Sequence, residues 1–420
     1  MSRPYPAVFM LAWRFMMSKA SDGFLSLISW VSVFGVSLGV LALVVVTSVI
    51  NGFEGELVRV ITGMNGDVLL YTRGEPLRDR GAVEEKIRRI VPSTLASTPS
   101  FVAEMMISGP NAVAGAILEG IDPETIGAVT AVPARIREGR LPTPLQEAAP
   151  ATEPAEVMVG SSLADRIGAK IGTEARLVAP FLGGEGEEGA GSGAPRVFPV
   201  RVVGIVKMGM HEYDSKFVFA HLASVQKMLA YPGRITTFKL KLSSKANARE
   251  AADRLSEGFG YPFRARDWSQ LNKNLFRAIE HQKVVIAICL VIIVIVAAFN
   301  VVSTLMMMIY DKTKEISILK AMGFRPGQSF QLFCLVGIGI GTVGTAIGVG
   351  LGVAVNVFLA RTRLIDLPAD IYSIGFLPVV TRWEEVLWIA VVSFSVCFLA
   401  TIYPAYKVAV RPPLDGIRYE

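Results

Sequence analysis

The sequence predicts an integral membrane α-helical bundle of four transmembrane helices, with a large extracytoplasmic α+β domain inserted between the first and second spans. Two observations carry that prediction. Of the 420 residues, 52% are hydrophobic and only 19% charged, where a soluble domain carries about a quarter. The apolar excess is gathered into four runs, Phe24 to Phe53, Val284 to Tyr310, Pro326 to Ala360 and Val386 to Tyr406, none of which holds an Asp, Glu, Lys, Arg or His. Each meets the roughly 20 residues that cross about 30 Å of hydrocarbon at about 1.5 Å per residue.

These runs divide the chain into a cytoplasmic N-terminus (1–23), a first span (24–50), the inserted domain (51–283), a second span (284–309), a loop (310–328), a third span (329–358), a second outer loop (359–385), a fourth span (386–406) and a tail (407–420). The first run follows Arg3, Arg14 and Lys19, as the core of a secretory leader would. It is too long for one and leads into Ile50-Asn51-Gly52-Phe53-Glu54 with no small-x-small cleavage site, so it reads as a retained anchor. Orientation follows the Lys and Arg of the short loops. The N-terminal flank, the loop with Lys312, Lys314, Lys320 and Arg325, and the tail with Lys407, Arg411 and Arg418 are basic. The remaining short loop sets Arg361, Arg363 and Arg382 against Asp366, Asp370, Glu384 and Glu385. Both termini are therefore expected in the cytoplasm, and the 51–283 domain on the far side.

Within that domain, strands are expected at Asp67–Tyr71, Glu156–Gly160, Val197–Val206 and Thr236–Leu242, the last with Phe238, Leu240 and Leu242 alternating with Lys239 and Lys241. Helices are expected at about 82–91, 161–168, 221–230 and 246–258. Asp267 followed by Gln270 forms a capping box that opens a helix through Leu275 and Ile279 into the second span. Leu141–Glu156 and the Gly- and Glu-rich stretch Leu182–Pro195 read as loops.

The residues exclude several chemistries. The net charge is only +6, and no basic run interleaves with aromatics, which argues against nucleic acid. Cys289, Cys334 and Cys397 all lie in apolar runs, and His211, His221 and His281 have no metal spacing. No nucleotide-binding, zinc-protease or serine-hydrolase motif is present. The chain is expected not to be an enzyme and to bind no cofactor itself; energy must come from another subunit.

Three patterns remain. Gly344, Gly348 and Gly352 stand four apart, which lets helices approach closely, within the bundle or across a dimer seam. Asn300 and Thr304, one turn apart, can bond a neighbouring helix or line a cavity. In the 310–328 loop, Ile316, Leu319 and Met322 recur at three-residue steps with Lys314 and Lys320 around them, and Gly323 and Pro326 end the pattern. Such an amphipathic helix can lie in the lipid interface or dock in a partner's groove.

That loop, with its Glu315-Ile316 and Leu319-Lys320-Ala321-Met322-Gly323, resembles the signature of permeases related to the macrolide exporter and the division permease. Ser29-Trp30 to Gly39, Asn51-Gly52-Phe53-Glu54, Gly209-Met210-His211-Glu212-Tyr213-Asp214-Ser215 and the ending from Tyr403-Pro404-Ala405 narrow the resemblance, over nearly the whole chain, to the lipoprotein-releasing permeases of the LolC and LolE type. The resemblance implies a multi-pass protein of the bacterial inner membrane, working with a second permease copy or paralogue and two ABC ATPase subunits that hold ATP and Mg. Its implied cargo is acylated lipoprotein, drawn from the membrane lipids and handed to a periplasmic carrier. It further implies that Lys314, Glu315, Ile316, Leu319, Lys320 and Met322 belong to a coupling helix seated in the ATPase. A lipid cavity is implied near Val44, Thr47, Ile50, Phe53, Phe299, Asn300 and Ser303. A carrier-docking hairpin is implied between about Arg176 and Val203, with Leu182, Gly183, Gly184 and Pro195 as candidates. Whether the chain is the carrier-docking permease, the other one, or both in a homodimer stays open, as do export of another hydrophobic cargo and a scaffold for cell-wall hydrolases.

Overall fold

A computed structural model of the chain describes residues 10, 23–74, 76–145, 153–179, 195–362 and 377–410. The elements begin with α1 (Gly23–Asn65), β1 (Val68–Thr72), α2 (Arg80–Ile90), the long β2 (Thr94–Ser108) and β3 (Val113–Ile121). There follow α3 (Ile126–Val129), β4 (Ile136–Gly139), β5 (Ala155–Gly160), α4 (Ser161–Ile167), β6 (Glu174–Ala179), β7 (Arg196–Val206) and α5 (His211–Asp214). Then come β8 (Phe217–His221), α6 (Leu222–Met228), β9 (Thr237–Leu242), α7 (Ala248–Phe259), β10 (Phe263–Asp267) and α8 (Trp268–Leu271). The chain closes with α9 (Lys273–Asp311), α10 (Thr313–Ala321), α11 (Pro326–Thr362) and α12 (Trp383–Val410). Two units result among the described residues, one from 23–54, 278–362 and 377–410, the other from 55–74, 76–145, 153–179 and 195–277.

The second unit is built on a ten-stranded sheet among the described residues, in the order β10-β1-β9-β2-β3-β8-β5-β7-β4, with β6 pairing β2 and β7. Side chains alternate between its faces. Leu118, Val157, Val218 and Leu240 enter one core with Ile87 of α2 and Leu255 of α7; Ile121, Met158 and Phe219 enter another with Val60, Ile61 and Met64 from the end of α1. Both faces are therefore covered. That is why Lys239, which the alternation on β9 assigns to a polar face, is only 2% exposed and meets Glu119 of β3, 1% exposed, at 2.5 Å. Its ammonium donates to the Met64 carbonyl at 3.0 Å.

Several expectations need correcting. α1 continues past Ile50 to Asn65, so part of the segment assigned to the domain is the same helix as the span. Asp267 does cap, accepting from Gln270 N at 3.0 Å, but α8 stops after one turn and α9 starts afresh at Lys273. The helix expected within 310–328 is present as α10, while α11 begins at Pro326, ahead of the expected 329, where a residue without an N–H fits the first turn.

At the head of β5, Glu156 accepts from both Arg140 guanidinium nitrogens and from Thr143 N (2.9 Å) and Oγ1 (2.6 Å), which fastens the proline-rich 141–145 segment. Burial raises its pKa, but these donors outweigh burial and hold it down to about 2. A folded pKa below the ordinary carboxylate value makes the stabilisation complete above about pH 4.5 and lost as the pH falls through about 2. Glu156→Gln is expected to cost about 1 kcal/mol at pH 7 after solvent screening. The gap between wild-type and variant melting temperatures should narrow from pH 5 to pH 2; a constant gap would refute the ionic origin.

Candidate functional site

Four helices, Trp30–Asn65, Lys273–Asp311, Pro326–Thr362 and Trp383–Val410, are long and apolar enough to cross a membrane. Their packing is written in small residues. A Cβ added at Gly344 would lie 2.9 Å from Val36 Cβ, one at Gly348 2.7 Å from Val40 Cβ, and one at Gly352 2.9 Å from Val44 Cβ. Residue numbers rise together on both sides, so α1 and α11 run parallel. Gly337 and Gly341 meet Thr401 and Cys397, where numbers run oppositely, so α11 and α12 are antiparallel. Ser32 donates to Asn300 Oδ1 at 2.8 Å and bonds Thr304, while Gly39 faces Ile293, which makes α1 and α9 antiparallel. The glycine spacing thus serves packing inside one chain.

This packing redirects part of the expected cavity lining. Val44 is fully buried against Gly352, and Asn300 is turned onto Ser32 and Gly35, so both hold α1 to its neighbours rather than line an open space. Thr47, Ile50 and Phe53 are half-buried; Phe299, 67% exposed, and Ser303 face outward with Val285, Ile288 and Val296. An apolar cleft bordered by Val36, Val40, Val294 and Val396 encloses about 10 Å³, room for about one water molecule.

At the rim of the bundle Asn51 donates to Glu385, Glu54 pairs with Lys283 at 2.6 Å, and Gly52 lies against the Pro378–Val379 backbone with no room for a Cβ. Asn356 donates to Ser48 (2.8 Å) and Thr381 (3.1 Å), and Val380 N to the Ser48 carbonyl (3.0 Å). The Asn51-Gly52-Phe53-Glu54 sequence is thus a fastening between α1 and the approach to α12.

α10 presents one face outward. Lys314, Glu315, Ile318 and Met322 are exposed, Met322 by 81%, and Lys312 pairs with Glu315 at 2.7 Å. Two residues expected on that face turn inward: Ile316 is buried in the bundle core, and Lys320 donates to the Val408 (2.8 Å) and Ala409 (3.3 Å) carbonyls at the end of α12. Leu319 is half-buried, and Ile318 was missed because it falls off the three-residue steps. Gly323, at φ +100°, ends the helix.

In the second unit β6 and β7 form an antiparallel hairpin, register Glu174↔Arg201 to Ala179↔Arg196. Leu182, Gly183 and Gly184 lie outside the described residues, and Pro195 is exposed at the hairpin's returning edge. Among the described residues no cluster of metal-ligating side chains occurs. His221 caps α6, its Nδ1 accepting from Ala223 N at 3.2 Å.

The family model for the MacB-like periplasmic core domain matches residues 29–257, which run from α1 through the sheet into α7. The chain belongs to that family. The FtsX-like permease C-terminal model matches residues 287–413, spanning most of α9 and all of α10 to α12. Among relatives of this MacB-like permease, the lipoprotein-releasing system transmembrane protein LolC of Xylella fastidiosa is 28% identical, covering 97% of each chain. In Haemophilus influenzae both LolC, 26% identical over 99% of this chain and 100% of its own, and LolE, 25% identical over 96% and 97%, are similar to it. The near-equal identities give no preference between the two names. These relatives are named as transmembrane proteins of a lipoprotein-releasing system, and the chain's C-terminal part matches a permease model.

Proposed function

We propose that this chain is the permease subunit of an ATP-driven transporter that draws mature acylated lipoproteins from the outer leaflet of the bacterial inner membrane and passes them to a periplasmic carrier for outer-membrane sorting. The observation that carries this reading is agreement over 96% or more of the chain with relatives named for lipoprotein release. The working unit pairs it with a second permease copy or paralogue and two ATPase subunits, which hold ATP and Mg; this chain supplies no catalytic group. Both termini and α10 lie in the cytoplasm, and the sheet domain in the periplasm. The alternating helix directions support this topology.

Lys314, Glu315, Ile318 and Met322 meet the ATPase. Acyl chains travel along Thr47, Ile50, Phe53, Phe299 and Ser303, and a second permease closes the path, because Phe299 and Ser303 face outward from a single bundle. Each methylene moved into water costs about 0.8 kcal/mol, so the route must stay apolar from leaflet to carrier. The β6–β7 connection carries the docking contact, with Leu182, Gly183, Gly184 and Pro195.

Depleting the protein in its host is expected to strand outer-membrane lipoproteins in the inner-membrane fraction, with rescue by wild type but not by Glu315→Lys. Normal sorting, with no redundant permease present, would overturn the reading in favour of export of another hydrophobic cargo or a division scaffold. Deleting residues 182–195 is expected to weaken crosslinking to the carrier; unchanged crosslinking would move that contact elsewhere.

A further inference from the structure

The Gly209-Met210-His211-Glu212-Tyr213-Asp214-Ser215 stretch is given no task in the transport reading, yet its geometry builds a mount for one phenol. Asp214 is buried, and its carboxylate accepts from Met208 N at 2.7 Å and Gly209 N at 3.2 Å. Gly209 turns the chain at φ +91°, a conformation that favours glycine. The turn sends Tyr213 into the apolar cluster of Met64, Met210 and Phe219, with Phe217 edge-on at 5.5 Å. Burial pushes the Tyr213 hydroxyl above its ordinary pKa, so it stays a neutral phenol.

That hydroxyl accepts two hydrogen bonds, from Asn65 Nδ2 at 2.8 Å and Asn272 Nδ2 at 3.4 Å. Asn65 is the last residue of α1, and Asn272 is the residue whose carbonyl opens α9, accepting from Phe276 N at 3.1 Å. α1 and α9 are the helices that contain the first and second apolar spans. One oxygen therefore bridges the end of one and the start of the other. The surroundings stiffen both sides. Lys239 holds the Met64 carbonyl, Lys245 donates to Thr62 Oγ1 at 2.8 Å, and Trp268 meets Phe276 edge-on at 5.0 Å.

We propose that Tyr213 is a positioning residue that ties the sheet-domain ends of α1 and α9 at a fixed spacing, so that displacement of either end reaches the other through this joint. Its consequence for cargo rests on the transport reading; the joint itself does not.

The test uses the full chain with Cys289, Cys334 and Cys397 replaced by serine and spin labels at Arg59→Cys and Arg277→Cys, exposed positions on α1 and α9. Tyr213→Phe removes only the hydroxyl, and Asn65→Ala removes one arm. In both, the distance distribution is expected to gain a separated population raised roughly tenfold, as the loss of hydrogen bonds at a buried site implies. In the ATPase-loaded complex, the ATP consumed per lipoprotein released is expected to rise several-fold. Unchanged distances in both variants overturn the joint, whether or not the melting temperature falls, since packing alone gives a lower melting temperature with the same spacing. Altered distances with unchanged ATP per release overturn the positioning role. Failure of the wild-type complex to release any lipoprotein would count against the transport reading alone, and the distances would still decide the joint.

Discussion

Glu119→Ala is expected to destabilise the sheet domain by about 3–5 kcal/mol, the cost of leaving one partner of a buried ion pair uncompensated. Lys239 cannot relax into solvent, because it sits between β9 and the end of α1 with its ammonium on the Met64 carbonyl. The double variant Glu119→Leu with Lys239→Met removes both charges while keeping volume, and it should recover most of the loss, since an apolar replacement of a buried pair is often neutral. Thermal unfolding of the full-length protein, with hydrogen exchange read at the β3 and β9 amides, measures both. A loss below about 1 kcal/mol for the single variant, typical of an exposed pair, would refute burial as its source.

Gly348→Leu is expected to break the α1–α11 contact. A Cβ at Gly348 would stand 2.6 Å from the Ser37 carbonyl oxygen as well as 2.7 Å from Val40, and backbone cannot step aside as a long side chain can. Overpacking costs about 1–3 kcal/mol in well-packed cores, and close helix approach is the main source of association between apolar helices in lipid. Gly350→Leu is the matched control, because nothing lies within 4 Å of a Cβ there. Thermal unfolding in detergent and the yield of monodisperse protein should fall for Gly348→Leu and hold for Gly350→Leu. Equal behaviour of the two would remove the seam as a determinant of the bundle.

Much of this was legible in the sequence, because membrane-crossing length and the absence of charge are one-dimensional properties. The strands at 68–72, 155–160, 196–206 and 237–242 were legible from their apolar patterns. The β2–β3 hairpin was not, since Pro99, Glu104 and the glycines of 113–121 interrupt any simple alternation. Lys239 misled for a specific reason: period-2 alternation marks a polar residue as solvent-facing unless a counter-charge from a distant strand meets it. Glycine spacing announced close packing but could not name Val36, Val40 and Val44 as the partners. Ile316 and Lys320 fitted an amphipathic pattern whose inward and outward faces only the bundle defines. Tyr213 sits in a helix of one turn, too short for any period to expose.

The α1–α11 seam repeats itself. Valine meets glycine every four residues on both helices, and so a slide of α1 by four residues, about 6 Å at about 1.5 Å per residue, would set Val40 against Gly344 and Val44 against Gly348 with the same tooth-and-notch fit. The seam alone therefore does not choose its own register. The choice is made by a polar latch that does not repeat, Asn356 with Ser48, while Ser32 with Asn300 and Thr304 holds α1 to α9 and Asn51 with Glu385 holds it to α12.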